Sequence, residues 1–310
     1  CVAPLAELLH IKRQLNDFDF PVGADGRNRF ASMPFWAKTG RSQPKTSEFM
    51  LGNQTWMRSL IRPHQGYALA YIDWERQEFG MGAALSGDPR MLEDYLSEDC
   101  YLAFGIQAGV VPNGATKATH PKERSMLKSA LLSIQYQSSA KSLAAKINVS
   151  ESKAEQLIES HKRLYLVYWE WASRVECCFL QESRIQSIFG WSLKRDPHKP
   201  ANLRAVSNFP VQANGADMMR LACCIGTDFG VQICATLHDA FLIEAPIGGI
   251  DEAVKTMTSA MDQASRDILN GFTLKTDSQV FKYPDRYRDP RGEDMWNRVM
   301  KLLSEVEKYG

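Results

Sequence analysis

The sequence predicts an α+β protein, with one antiparallel sheet assembled from well-separated strands and a lobe made almost wholly of helix. Residues 67–74, Tyr-Ala-Leu-Ala-Tyr-Ile-Asp-Trp, form an apolar, β-prone run that ends on a carboxylate. Residues 233–244 hold two more β-rich runs on either side of His238-Asp239, the pattern of a hairpin with the Asp at its turn. Between them the apolar residues recur with a helical period, most clearly over 124–136, 151–165 and 169–182.

Taken in order, residues 4–15 are predicted helical, with Leu5, Leu8, Leu9 and Ile11 at helical spacing. Asp25-Gly26 marks a hairpin turn with 29–33 as its outgoing strand. A polar loop from Lys38-Thr39-Gly40-Arg41 to Asn53 leads back to the 67–74 strand. Phe79, Met81, Ala83, Ala84 and Leu85 then predict a helix, which Ser86-Gly87-Asp88-Pro89 stops while starting another. Helices are expected at 91–96, 101–108 and 139–147, and Ser150 supplies a cap for the one running to Tyr165. Pro and Gly in 111–116 mark a linker and the edge of a mobile subdomain. A short hairpin at 186–193 precedes a helix over 201–224, which Pro210 should kink or restart. An amphipathic helix over 252–269 should cover the sheet that carries Asp239, followed by a closing strand at 272–277 and a charged helix over 292–309.

A carboxylate at a strand tip suits a hard cation, although helix capping uses the same placement. Asp73 and Asp239, brought to adjacent strand ends, could hold two Mg²⁺ ions about 3.5–4 Å apart, an arrangement for in-line attack on phosphate. Arg124, Lys128, Leu132 and Tyr136 recur every fourth residue and share one helix face. That ladder matches a nucleoside triphosphate lying along the helix, phosphates at one end and base at the other; an ordinary amphipathic helix with two solvated charges would look the same. Arg204, Asn208 and Gln212 repeat the four-residue spacing, and amides on such a face can meet base edges or merely cap a kinked helix.

Length and charge bound the rest. A chain of 310 residues exceeds the usual single domain, so two or three subdomains are expected. Thirty-seven basic against thirty-six acidic residues do not by themselves suggest nucleic acid, but from Pro112 to Arg204 fifteen Lys and Arg face eight Asp and Glu. The seven cysteines fall as singles and adjacent pairs without Cys-x-x-Cys spacing, which argues against a zinc site and for reduced core residues of an intracellular protein. No apolar run approaches the ~18 residues of a membrane span. Opening on Cys1 without an initiator Met, the sequence reads as a fragment.

The 67–78 stretch, the 124–136 helix and the 233–244 hairpin, in this order, resemble motifs A, B and C of the family A DNA polymerases. The resemblance covers nearly the whole chain. It implies a palm with an antiparallel sheet plus a helical fingers subdomain, most of the thumb being absent. Residues 1–110 would be the end of the thumb and first part of the palm, 111–204 the fingers, and 205–310 the second part of the palm with a terminal helix. It implies template-directed addition of deoxyribonucleotides to a primer 3′-hydroxyl, releasing pyrophosphate, in replication or repair. Asp73, Asp239 and the Trp74 carbonyl would hold two Mg²⁺ ions, with Mn²⁺ as a substitute. Lys128 would sit at the α-phosphate and Arg124 at the γ-phosphate, with Leu132, Tyr136 and Tyr101 completing the nucleotide site. Glu78, paired with Tyr136, would exclude a ribose 2′-hydroxyl, unless it is only a carboxylate at a helix start. Arg41, Arg204, Asn208, Gln212 and His238 would contact DNA, although Arg41 would serve equally as a loop residue bound to carbonyls.

The implied partners are primer-template DNA and deoxyribonucleoside triphosphates; a monomer away from membranes is expected, in the cytoplasm of a bacterial or phage-infected cell. Nuclease domains common in the family are missing from these residues, so low processivity is expected. Four positions depart from the family pattern: Leu132 and Tyr101 stand where an aromatic and a His are usual, Gln137 where Gly follows the Tyr, and Ala240 where an auxiliary Glu follows the Asp. Three rivals remain in the sequence. A His-Asp phosphohydrolase would want His238-Asp239 on a helix, a related RNA polymerase would not want Glu78, and a silent nucleic-acid-binding remnant would not need Asp73, Asp239, Lys128 and Tyr136 together.

Overall fold

In the computed structural model, residues 20–309 are described, together with Leu5, Leu8, Leu9 and Lys12 of the first segment. Those four are helical, and the rest of the predicted 4–15 helix lies outside the described residues. In chain order the elements are β1 (Ser32–Met33), β2 (Gln43–Pro44), β3 (Tyr67–Trp74), α1 (Gln77–Ser86), α2 (Pro89–Leu96), α3 (Cys100–Gln107), α4 (Pro121–Gln135), α5 (Ala140–Ile147), α6 (Glu151–Leu164) and α7 (Leu166–Glu182). There follow β4 (Arg184–Gln186), β5 (Ser192–Lys194), α8 (Leu203–Asp228), β6 (Gln232–Leu237), β7 (Ala240–Pro246), α9 (Ile250–Ile268), β8 (Thr276–Lys282) and α10 (Glu293–Tyr309). The chain forms two units: one of residues up to Asp73 with Cys223–Ser259 and Asp277 onward, the other of Trp74–Ala222 with Ala260–Thr276.

The first unit is built on a four-stranded sheet in the order β6-β7-β3-β8. β3 lies antiparallel to β7, with Leu69 opposite Glu244, Tyr71 opposite Leu242 and Asp73 opposite Ala240. Side chains alternate along a strand, so Leu69, Tyr71 and Asp73 share one face. On it Leu69 and Leu242 pack with Phe49, Leu51, Leu237, Phe281 and Tyr287, flanked by Phe30, Ile61 and Cys234. Ala68, Ala70 and Ile72, on the other face, are wholly buried. A Cβ added to Gly226 of α8 would fall 2.8 Å from Met257 Sδ of α9 and 3.7 Å from Ile233 of β6, so α8 passes close to both elements there. At this point α8 is the helix against β6, with α9 packed on α8.

The second unit is helical. Its core holds Phe79, Tyr95, Phe104, Leu127, Leu131, Tyr165 and Tyr168. Asp88 caps α2, its carboxylate accepting from Met91 N at 2.9 Å and, across the unit, from Tyr168 N at 3.0 Å. Asp94 accepts from Tyr165 Oη at 2.7 Å and from Gln107 Nε2 at 3.0 Å. The linker 111–116 lies inside this unit.

Three local expectations change. The turn at Gly26 forms (φ 74°), but its arms keep only one bridge, Val22 to Asn28, and Ser32–Met33 pairs with Gln43–Pro44 instead. Polar side chains recruit that arm elsewhere, with Arg27 on Glu244 at 2.6 Å and Asn28 on the Glu48 carbonyl at 3.1 Å. The closing strand begins at Thr276, because the Lys275 N–H goes to Tyr95 Oη (2.7 Å) and its carbonyl accepts from Glu75 N (2.8 Å). Pro210 neither stops nor restarts its helix; α8 runs through it for 26 residues, since a missing N–H forfeits a single backbone bond. Among the described residues no helix is long and apolar enough to cross a membrane.

Candidate active site

β6 and β7 form a hairpin closed by the pair Leu237 and Ala240, with His238 and Asp239 as the two-residue turn. A two-residue hairpin favours positive φ at its first loop position, and His238 takes it at 53°. His238 is exposed while Asp239 is half-buried. Because Asp73 stands opposite Ala240, the β3 carboxylate lies next to the turn that bears Asp239. The phenol of Tyr71, two residues earlier on the same face, is pushed well above its usual range, first by burial, then by Tyr287 and by the charges of Asp73 and Asp239. Asp73 also lines a cavity of about 250 Å³ with Arg58, Tyr71, Asp277, Tyr287, Asp289 and Arg291.

Two carboxylates at neighbouring strand ends, with backbone carbonyls beside them, are a hard oxygen donor set of the kind Mg²⁺ takes. No cluster of three or more His, Cys, Asp or Glu suited to a metal occurs among the described residues. Mg²⁺ commonly keeps several waters and takes only one or two protein carboxylates, so a pair of this kind fits its usual demand.

In the second unit α4 begins with Pro121 and ends at Gln135, with Tyr136 as its C-cap, Lys128 exposed and Arg124 and Leu132 half-buried. Arg124 donates through Nε to Asp99 Oδ2, which leaves both terminal nitrogens of the guanidinium outside that bond. Asp99 is itself the N-cap of α3, its other oxygen accepting from Tyr101 N (3.0 Å) and Leu102 N (3.2 Å). The Tyr101 ring lies under both cations, 5.3 Å from the Arg124 guanidinium carbon and 5.9 Å from Lys128 Nζ. It is 2 % exposed, so its face supports the cations.

At the C-terminal end of α4 the Tyr136 hydroxyl donates to the Glu78 carboxylate. Gln212 of α8 donates to the same carboxylate at 2.9 Å and to the Tyr136 hydroxyl. Gln135 Nε2 donates to the Glu78 carbonyl at 3.0 Å, and its own carbonyl accepts from Tyr168 Oη at 3.3 Å. Gln137 adopts φ 54°, the left-handed conformation a glycine takes without cost, and donates to Glu176 at 3.0 Å. Here lies a physical reason for a glycine at that position, and a compensating contact where Gln stands instead.

The remaining residues singled out from the sequence are placed as follows. Trp74 is buried and closes β3. Arg41 is half-buried just after Gly40, which has φ 75°. Arg204 is exposed in the first turn of α8, and Asn208 bonds back to its carbonyl at 2.8 Å. Sequence reasoning missed Asp99 and Gln135. Asp99 carried a signal, an Asp just before a helical run; Gln135 carried none.

The fold is that of a DNA polymerase domain. A solved structure, the POL domain of Pol1 from M. smegmatis in complex with DNA primer-template and dNTP, superposes with a TM-score of 0.74 at 21 % identity, covering 88 % of this chain and 50 % of that one. Residues 46–280 match the profile of DNA polymerase family A, and the chain belongs to that family. A thermostable DNA polymerase I of Thermus caldophilus is 24 % identical over 230 residues, 67 % of this chain and 26 % of that protein. DNA polymerase I of Aquifex aeolicus is 22 % identical over 238 residues, 72 % of this chain and 40 % of its own length. The chain thus spans well under half of these relatives.

Proposed function

We propose that the chain is a template-directed DNA polymerase, which adds deoxyribonucleotides to a primer 3′-hydroxyl with release of pyrophosphate, in replication or repair. The observation that carries this reading is the register of β3 on β7, Asp73 opposite Ala240, beside a turn that bears Asp239. Family membership and the cation-bearing α4 support it.

Phosphoryl transfer asks mainly for positioning and charge neutralisation. Held by Asp73, Asp239 and the Trp74 carbonyl, two Mg²⁺ ions, or Mn²⁺ in their place, would supply an acidified 3′-hydroxyl and shield the leaving pyrophosphate. Lys128 meets the α-phosphate as a compact charge, and Arg124 offers its terminal nitrogens to the γ-phosphate. Leu132 and Tyr136 bound the sugar and base, with Tyr101 as the ring beneath the cations. Glu78, tied to Tyr136, fills the space a ribose 2′-hydroxyl would need. Arg41, Arg204, Asn208, Gln212 and His238 contact the primer-template. The polymerase roles follow the chain: 1–110 the end of the thumb and first palm segment, 111–204 the fingers, 205–310 the second palm segment.

Primer extension with Mg²⁺ tests this. The intact chain should extend a primed template with deoxynucleotides, and Asp239→Ala should lose at least a hundredfold in rate. Equal extension by both refutes the carboxylate assignment.

A further inference from the structure

Gln212, Glu78 and Tyr136 close a three-membered ring of hydrogen bonds within the second unit. A carboxylate only accepts, so the amide face turned toward Glu78 must be its nitrogen. That NH₂ spends its two hydrogens on Glu78 Oε1 and on the Tyr136 oxygen, while the Tyr136 proton also goes to Glu78. Gln135 pins the Glu78 backbone from the other side at 3.0 Å. We propose that Gln212 is a positioning residue that sets the stringency of sugar selection, an inference that rests on the polymerase reading above.

To admit a ribonucleotide, the Glu78 carboxylate must give way to the extra hydroxyl. Tyr136 alone would hold it by one bond. Gln212 adds a second bond to the same oxygen and fixes the hydroxyl that makes the first. Bonds to a charged group are the stronger kind, so each one raises the penalty for moving Glu78 appreciably. Both amide hydrogens are engaged on the gate, which leaves the Gln212 carbonyl oxygen as the group able to meet a base-edge donor. Gln212 therefore joins the DNA contact to the sugar gate through the two ends of one amide, and a nucleotide is checked against a gate braced from the primer-template side.

The test compares deoxynucleotide with ribonucleotide kcat/KM for the wild type, Gln212→Met, Tyr136→Phe and the double variant. Met keeps the length and volume of Gln without its donors, and a thermal melt verifies that each variant folds. Gln212→Met should lower the deoxy-over-ribo ratio about tenfold, the order expected for one charge-assisted bond. The double variant should lose less than the product of the two single effects, because the bonds share atoms. Gln212→Glu, which turns donors into acceptors facing Glu78, should lower the ratio at least as far. A residue that only touches DNA would reduce both kcat/KM values together. An unchanged ratio in Gln212→Met therefore overturns this inference while leaving the polymerase reading intact. A wild type that extends no primer overturns both.

Discussion

Asp99→Asn separates two ways in which a carboxylate can act on Arg124, the residue proposed to meet the γ-phosphate. Asp99 holds Arg124 through Nε alone, with side-chain exposures of 14 % and 24 %, so the bond is only partly screened by solvent. Asparagine caps helices as well as aspartate does, so the bonds from Tyr101 N and Leu102 N survive and α3 is undisturbed. What is lost is one charge-assisted bond, worth about 1–2 kcal/mol at this exposure. The melting temperature should fall by a few degrees, at roughly 2–4 °C per kcal/mol for a chain of this size class. If Asp99 aims the guanidinium, releasing it gives Arg124 freedom that the triphosphate must then restrict, and KM for deoxynucleotides should rise about three- to tenfold with kcat little changed. If Asp99 instead competes with the triphosphate for Arg124, KM should fall. Steady-state kinetics at saturating primer-template decides between them, and a lowered KM refutes the positioning argument.

Further predictions concern the frame around the site. His161 is wholly buried, and burial pulls its pKa down to about 3, while its Nδ1 accepts from Trp169 Nε1 at 3.0 Å. The unfolded chain takes up this proton near pH 6.5, so its stability contribution is complete above that pH and is lost as the pH falls toward 3; urea midpoints should drop across that window, and less steeply in His161→Gln. A Cβ at Gly292 would lie 2.3 Å from Trp56 N, against backbone that has no room to yield, so Gly292→Ala should cost about 2–4 kcal/mol in chemical denaturation. Asp289 is buried, and its bond to Arg291 at 2.7 Å, helped by Arg58 at 3.0 Å, holds its carboxyl below the usual range. Removing the inner cation in Arg58→Ala should lower stability by about 1–3 kcal/mol, whereas Arg291→Ala, at a side chain 72 % exposed, should cost under about 1 kcal/mol.

What the sequence made legible follows physical range. The β3 run, the His238-Asp239 turn and the capped helices are local patterns, and each appears within a residue or two of its expected place. The fates of 29–33 and 272–277 were hidden because distant groups decided them: Glu244 and Glu48 for the first, Tyr95 and Glu75 for the second. Pro210 does not restart its helix, because the lost bond and the ring clash are outweighed where the helix carries the buried residues Val206, Phe209, Val211 and Ala213. In the site, the four-residue ladder of α4 was plain in the sequence. The bonds that finish it, Asp99 to Arg124 and Gln212 to Glu78, span 25 and 134 positions and no local pattern announces them.

The proposed chemistry requires Asp73 and Asp239 to hold divalent cations together. Paramagnetic resonance of free Mn²⁺ titrated with the chain, primer-template and a non-hydrolysable deoxynucleotide measures this without relying on turnover. The wild type should bind Mn²⁺ in the micromolar range, and Asp73→Asn and Asp239→Asn should each weaken that binding at least tenfold. Undiminished Mn²⁺ binding in both variants would contradict it.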